Sequence, residues 1–279
     1  MADKCGLRMI VRNQFKSATV TVLPTPLSGY PASNMQLTWR SRVMRTSGNT
    51  GQVINIVMPK TEEASGFYCP VTGGCVLRLE LFSDAGMTTR VYDSGDTKYG
   101  APTQQLIPMG EWIAGIHAIG ENKSNFTTSP HALYFPLKSY IAARITLNYS
   151  TNPLPYIEVP YIVIGKVFAP EYGADYGLSL TGKTSKTKKR TRGGSLHRLG
   201  DGRKWREISF QLSYLNESER LSLEAELWDG DGESVLVDAY PLSETAMHDH
   251  HLFLADADLP EVAQGNFATH TAKLMLQEI

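Results

Sequence analysis

The chain of 279 residues is 42% hydrophobic and 20% charged with a formal net charge of −1, a composition that excludes a disordered or fibrous protein and allows a sizeable core. Its length suggests two domains, with one large all-β domain as the alternative. Residues 1–12 lack the apolar centre of a secretory signal, and the strongest apolar stretch, 156–168, is broken by Glu158, Pro160 and Lys166, so a soluble, non-exported protein without membrane spans is expected.

Period-2 alternation dominates along the chain and points to strands with one buried face. In 76–82, Leu77, Leu79 and Leu81 alternate with Arg78 and Glu80. Turn residues follow at 83–86 and 93–96. In 140–149, Ile141, Ala143, Ile145, Leu147 and Tyr149 form one face. A domain boundary falls near 167–177, where Pro170, Gly173 and Gly177 interrupt the pattern. The tract that follows reads as a long polar loop over 179–206, too poor in apolar residues to fold alone and either mobile or ordered by a partner. Strands resume with Ile208, Phe210 and Leu212 alternating with Ser209, Gln211 and Ser213. Asn216 caps a helix over 217–228, Glu219 closes a capping box, and Leu221, Ala225 and Trp228 form its apolar stripe, widened by Leu223 and Leu227. Gly230 and Gly232 end that helix, a strand follows from Ser234, and a last strand alternates Ala272, Leu274 and Leu276 with Lys273.

Motifs that would carry chemistry are weak. Gly177-Leu-Ser-Leu-Thr-Gly-Lys-Thr satisfies the bare phosphate-loop pattern, but the Lys, Thr and Gly tract after it has no helical periodicity. His248-Asp-His-His alternates across an extended chain, so its members cannot all meet one ion. Asp229-Gly-Asp-Gly-Glu lacks the terminal carboxylate of a calcium loop and reads as the turn ending the helix. No Gly-x-Ser-x-Gly elbow is present. Cys5, Cys69 and Cys75 cannot form a disulfide framework and fit a reducing compartment. Cys69 and Cys75 flank a turn that could bring them together, without a second ligand pair for a metal. The expectation is a protein that is not an enzyme and holds no cofactor or metal.

Charge is segregated. Ten bases lie between Lys183 and Arg206 against one acid, Asp201, whereas from Glu207 onward the only bases are Arg220 and Lys273. Dense Lys and Arg suit phosphates, yet no aromatic interleaves 179–204. Contact between copies, basic tract on acidic surface, is the favoured reading over nucleic acid, with Lys186, Lys188, Lys189, Arg190 and Arg192 as the assembly contacts.

Tyr30-Pro-Ala-Ser-Asn-Met with Trp39-Arg-Ser, and Leu79-Glu-Leu-Phe-Ser-Asp-Ala-Gly with Val91-Tyr-Asp-Ser-Gly, resemble the galactose-binding-like (discoidin-type) sandwich of tail-tip proteins of long-tailed phages. Tyr161-Ile-Val-Ile-Gly-Lys-Val-Phe-Ala-Pro is similar to the closing strand of that domain, with Lys166 where the family often has Arg. Thr191-Arg-Gly-Gly, the 205–212 strand, the helix and Ser234-Val-Leu-Val are similar to the remainder. This resemblance implies a distal or minor tail protein of the virion, assembled in the host cytoplasm into a ring, a hexamer or trimer. Such a ring would join the tail tube and hub to the receptor-binding tip, with DNA passing through it.

The fold expected is all-β: a galactose-binding-like β-sandwich over 1–168 and a smaller β-rich assembly domain with one helix over 169–279. The alternative function is a carbohydrate-binding module gripping a cell-surface glycan through Trp39 or Trp112. Trp39, Trp112, Trp205 and Trp228 could each stack on a sugar, but packing is the favoured reading for all four, since large aromatics are usually core or interface.

Overall fold

Alternating apolar side chains need a core to face, and the chain arranges its strands in two large sheets, each with a core of its own, in which every pairing is antiparallel. The computed structural model describes residues 6–37, 42–71, 75–98, 132–152, 154–175, 178–190, 195–200, 202–229, 234–239, 252–257, 261–264 and 269–279. Among these residues the fold is an all-β arrangement of β-sandwich sheets with a single α-helix, as expected from the alternation.

The first sheet has seven strands in the order Val163–Gly165, Gln52–Tyr68, Leu133–Asn148, Val76–Phe82, Arg90–Asp93, with Thr19–Leu23 and Thr97–Lys98 paired at its sides. Leu77, Leu79 and Leu81 are fully buried, as their spacing requires. In Leu133–Asn148 the expected face holds for Ala143, Ile145 and Leu147, but Tyr140 rather than Ile141 enters the core. The partner strand is irregular between Val57 and Glu62, and extra residues in one strand shift which side faces inward.

The second sheet has eight strands, ordered Val167–Phe168, Arg8–Ile10, Val235–Asp238, Leu252–Ala257, His270–Glu278, Lys204–Leu215, Ser179–Thr184, with Glu261–Gln264 beside His270–Glu278. The unstructured loop expected over 179–206 is not found. Ser179–Thr184 pairs with Lys204–Ser209, and Thr187–Arg190 pairs with Leu196–Leu199 in a small sheet of its own. Pairing satisfies the backbone with little apolar face, Leu180 packing against the second core, and lysines at a sheet edge discourage further strand addition.

The segment 6–23 ties the sheets together, because Arg8–Ile10 belongs to the second and Thr19–Leu23 to the first. Between them Asn13 is buried. Its Nδ2 donates to the Ile162 carbonyl at 2.8 Å, and its Oδ1 accepts from the Phe15 and Ile164 amides at 3.2 Å each. Gly165 is needed there: a Cβ would run into the Arg12 carbonyl oxygen. Around this crossing, Ile10, Tyr68, Val163, Leu236, Leu252 and Leu254 form a buried cluster distinct from the cores of the two sheets.

The helix Glu217–Asp229 begins as its sequence dictates. The Glu219 amide donates to Asn216 Oδ1 and the Asn216 amide to Glu219 Oε2, both at 2.9 Å, completing the capping box. The expected stripe is corrected. Leu221 is 50% exposed and Ala225 is exposed, whereas Leu223 is buried and Leu227 packs on the second core. A helix resting one turn-face on a sheet edge needs only the i, i+4 pair Leu223 and Leu227.

Candidate binding surface

Three adjacent strands of the second sheet bury one face and leave the other to solvent. Leu180, Ile208, Phe210, Leu212, Ala272, Leu274 and Leu276 lie in or against the core. Register places the intervening residues side by side on the outer face: Lys183 opposite Trp205, Thr181 opposite Glu207, Ser209 opposite Met275, and Gln211 opposite Lys273. Ser179, Thr181, Lys183, Gln211, Lys273, Met275 and Gln277 are exposed. The result is a ledge of hydroxyl, amide and ammonium groups with half-buried Trp205 at one end. At the other end of the strand stand Tyr214 and Tyr172, 58% and 60% exposed, with ring centroids 5.8 Å apart.

Trp205 is fixed in place. Its indole N–H donates to Glu207 Oε1 at 3.1 Å, and Lys183 Nζ lies 3.1 Å from Glu207 Oε2. The indole N–H first, and the ammonium second, hold the Glu207 carboxyl below the usual glutamate range. With its one polar atom committed, the ring offers only apolar surface. Trp205 and Lys183 also border an open groove of about 490 Å³, whose other lining residues, Gly182, Thr184, Lys204, Arg206 and Glu278, share the parity of the core-facing Ile208 and Leu276. Arg206 is consumed by the protein itself: its guanidinium binds Glu278 at 2.6 and 2.9 Å and lies over the Phe253 ring at 4.7 Å.

Beyond the groove projects the small sheet of Thr187–Arg190 and Leu196–Leu199. Of the expected assembly contacts, Lys186, Lys189 and Arg190 are exposed there. Lys188 contributes backbone to the strand Thr187–Arg190, and Arg192 lies outside the described residues. Trp39 and Trp112, the expected glycan contacts, also lie outside the described residues, as does His248-Asp-His-His. Trp205 was not among the expected contacts, although the alternation marks it. It shares parity with Glu207, Ser209 and Gln211, opposite the buried Ile208, Phe210 and Leu212.

Other polar clusters are satisfied internally. Arg45 lies over Tyr30 at 4.1 Å and over Tyr156 at 4.7 Å, and binds Glu158 at 2.7 Å, so one face of each ring is occupied by the protein's own cation. Asp93 bridges Arg78 and Arg90 across the first sheet, which holds its carboxyl below the ordinary value chiefly through Arg78. Of the bare phosphate-loop pattern, Ser179–Thr184 is a strand whose backbone serves the sheet ladder, and Gly177 lies outside the described residues. Cys69 and Cys75 are buried free thiols. Burial pushes Cys69 well up and Cys75 to about 11. Among the described residues no group of three or more His, Cys, Asp or Glu side chains is placed to hold a metal ion.

No family model and no curated protein matches the chain. Solved structures similar to it are carbohydrate-binding modules. A family 32 module of AlyQ in complex with 4,5-unsaturated mannuronic acid is 17% identical over 52% of this chain and 92% of its own, with a TM-score of 0.35. Chitosan-binding module 1 of a chitosanase/glucanase from Paenibacillus sp. IK-5 is 11% identical over 55% and 98%, with a TM-score of 0.38. The family 32 module of C. perfringens NanJ, in complex with galactose, is 11% identical over 56% and 98%, with a TM-score of 0.37. At this level the likeness carries no argument for the function of this chain.

Proposed function

We propose that this protein is a non-catalytic glycan-binding protein whose binding surface is the Trp205 groove and the ledge beside it. The observation that carries this reading is the pairing of a fixed indole, its N–H held by Glu207, with exposed hydroxyl, amide and ammonium groups on adjacent strands. An apolar ring face beside convergent polar groups suits a sugar, whose rings have apolar faces and hydroxyl edges. Nothing in the groove calls for turnover: Glu207 and Glu278 are both held as ion-pair partners. The test is retention on immobilised oligosaccharides. The parent chain is retained and Trp205→Ala, with an unchanged far-ultraviolet spectrum, is not; equal retention of the two, or none by the parent, refutes the reading.

A second reading is the structural one, a tail-tip subunit assembled into a ring in the virion. The projecting sheet Thr187–Arg190 with Leu196–Leu199, which pairs with neither large sheet, favours it as an arm reaching a neighbouring copy. Sedimentation of the purified chain tests it: a closed oligomer that dissociates when Lys186, Lys189 and Arg190 become Ser supports it, and a monomer at all concentrations refutes it.

A further inference from the structure

We propose that the ligand of the Trp205 surface is a linear anionic glycan, one bearing carboxylates or sulfates, and that the small basic sheet is the part that selects it. This inference rests on the glycan-binding reading and names its ligand class. The charge around the groove divides into committed and uncommitted cations. Lys183 is taken by Glu207 and Arg206 by Glu278. Lys186, Lys189 and Arg190 are exposed on the projecting sheet, and Lys204 is exposed at the groove wall. Among the described residues no ion pair engages these four. Like charges gathered on one arm repel each other, and a polyanion laid across them relieves that repulsion.

Most acids of the helix are already in use. On the helix, Arg220 binds Glu217 at 2.6 Å and Glu224 at 2.7 Å, and His270 reaches Glu217. Glu219 accepts the Asn216 and Glu171 amides. Glu226 is half-buried, and burial raises its pKa. The helix therefore offers the basic arm little uncommitted charge on a neighbour, which favours a complement from outside. Between a nucleic acid and an anionic sugar, the surface favours the sugar. Its aromatics stand at opposite ends of a strand that spans about 30 Å, separated by hydroxyls and amides, whereas single-stranded nucleic acid wants aromatics at successive base spacings.

The experiment is calorimetric titration of the full chain with three probes: an oligogalacturonate, a neutral cello-oligosaccharide of equal length, and a single-stranded oligodeoxynucleotide of matched charge. The parent and a Lys186→Ser, Lys189→Ser, Arg190→Ser variant are compared at low and raised salt. These exposed positions carry no core contact, so the variant folds. The uronate binds most tightly, weakens about tenfold or more as salt rises, and loses about tenfold in the variant. Equal affinity for the neutral sugar, or an unaffected variant, overturns the anionic selection and leaves the glycan reading standing. No affinity for either sugar overturns both. Preference for the oligodeoxynucleotide overturns the inference in favour of nucleic acid.

Discussion

The indole N–H of Trp205 donates to Glu207 at 3.1 Å across one outward step of the strand Lys204–Leu215. The same carboxylate meets Lys183 on the neighbouring strand, opposite Trp205 in register. The ring is thus held by two strands at once, which is what a preformed stacking surface needs.

That arrangement titrates. The folded protein holds Glu207 below the ordinary 4.5 of a glutamate. The stabilisation from its pairing is therefore fully present above 4.5 and is lost as pH falls through the lower folded-state value. Tryptophan fluorescence should change with a midpoint under 4.5 in the parent and should lose that step in Glu207→Gln. A midpoint above 4.5 contradicts the pairing.

Asn13 fastens the segment that belongs to both sheets, with three buried hydrogen bonds to residues far along the chain or across its own turn. Asn13→Ala should cost about 2–4 kcal/mol in denaturant unfolding, because two amides and a carbonyl lose their partner. Gly165→Ala should cost at least as much, since the obstacle is the Arg12 backbone and not a side chain that can turn away.

Cys69 and Cys75 should resist alkylation in the folded state at pH 8. Both are neutral thiols there, shielded by full burial, with Cys75 shifted to about 11. Thiol counting should find them only after unfolding; fast labelling of either in native buffer contradicts their burial.

The capping box gives a local test. Asn216→Ala should destabilise the chain by about 1 kcal/mol without changing the affinity for a glycan, because the helix start lies at the far end of the strand from Trp205. A change in glycan affinity equal to that of Trp205→Ala would place the site elsewhere.

Much of the fold is readable from alternation. Leu77, Leu79 and Leu81 went to the core because each strand residue points opposite to its neighbours, and Asn216 with Glu219 capped the helix because only local groups are involved. Alternation fails where pairing is irregular, as at Ile141 and Tyr140, since a bulge in the partner strand is a non-local event. Amphipathic reading of the helix held for Leu223 and Leu227 and failed for Leu221 and Ala225 for a related reason: Leu221 and Leu223 are chemically alike, and only the position of the sheet chooses between them. The strands within 179–206 were hidden because they bury little apolar surface and form mainly through backbone pairing. Trp205 was visible as an outward residue by parity, yet its role depends on Lys183, twenty-two residues earlier, arriving opposite it.

The most direct measurement is an amide and indole chemical-shift titration of the full chain with an oligogalacturonate. The Trp205 indole resonance and the amides of Lys183, Glu207 and Lys189 should move together with one saturation curve. Shifts confined to the Tyr30, Arg45 and Tyr156 cluster, with Trp205 unmoved at saturation, would contradict the assignment of the binding surface.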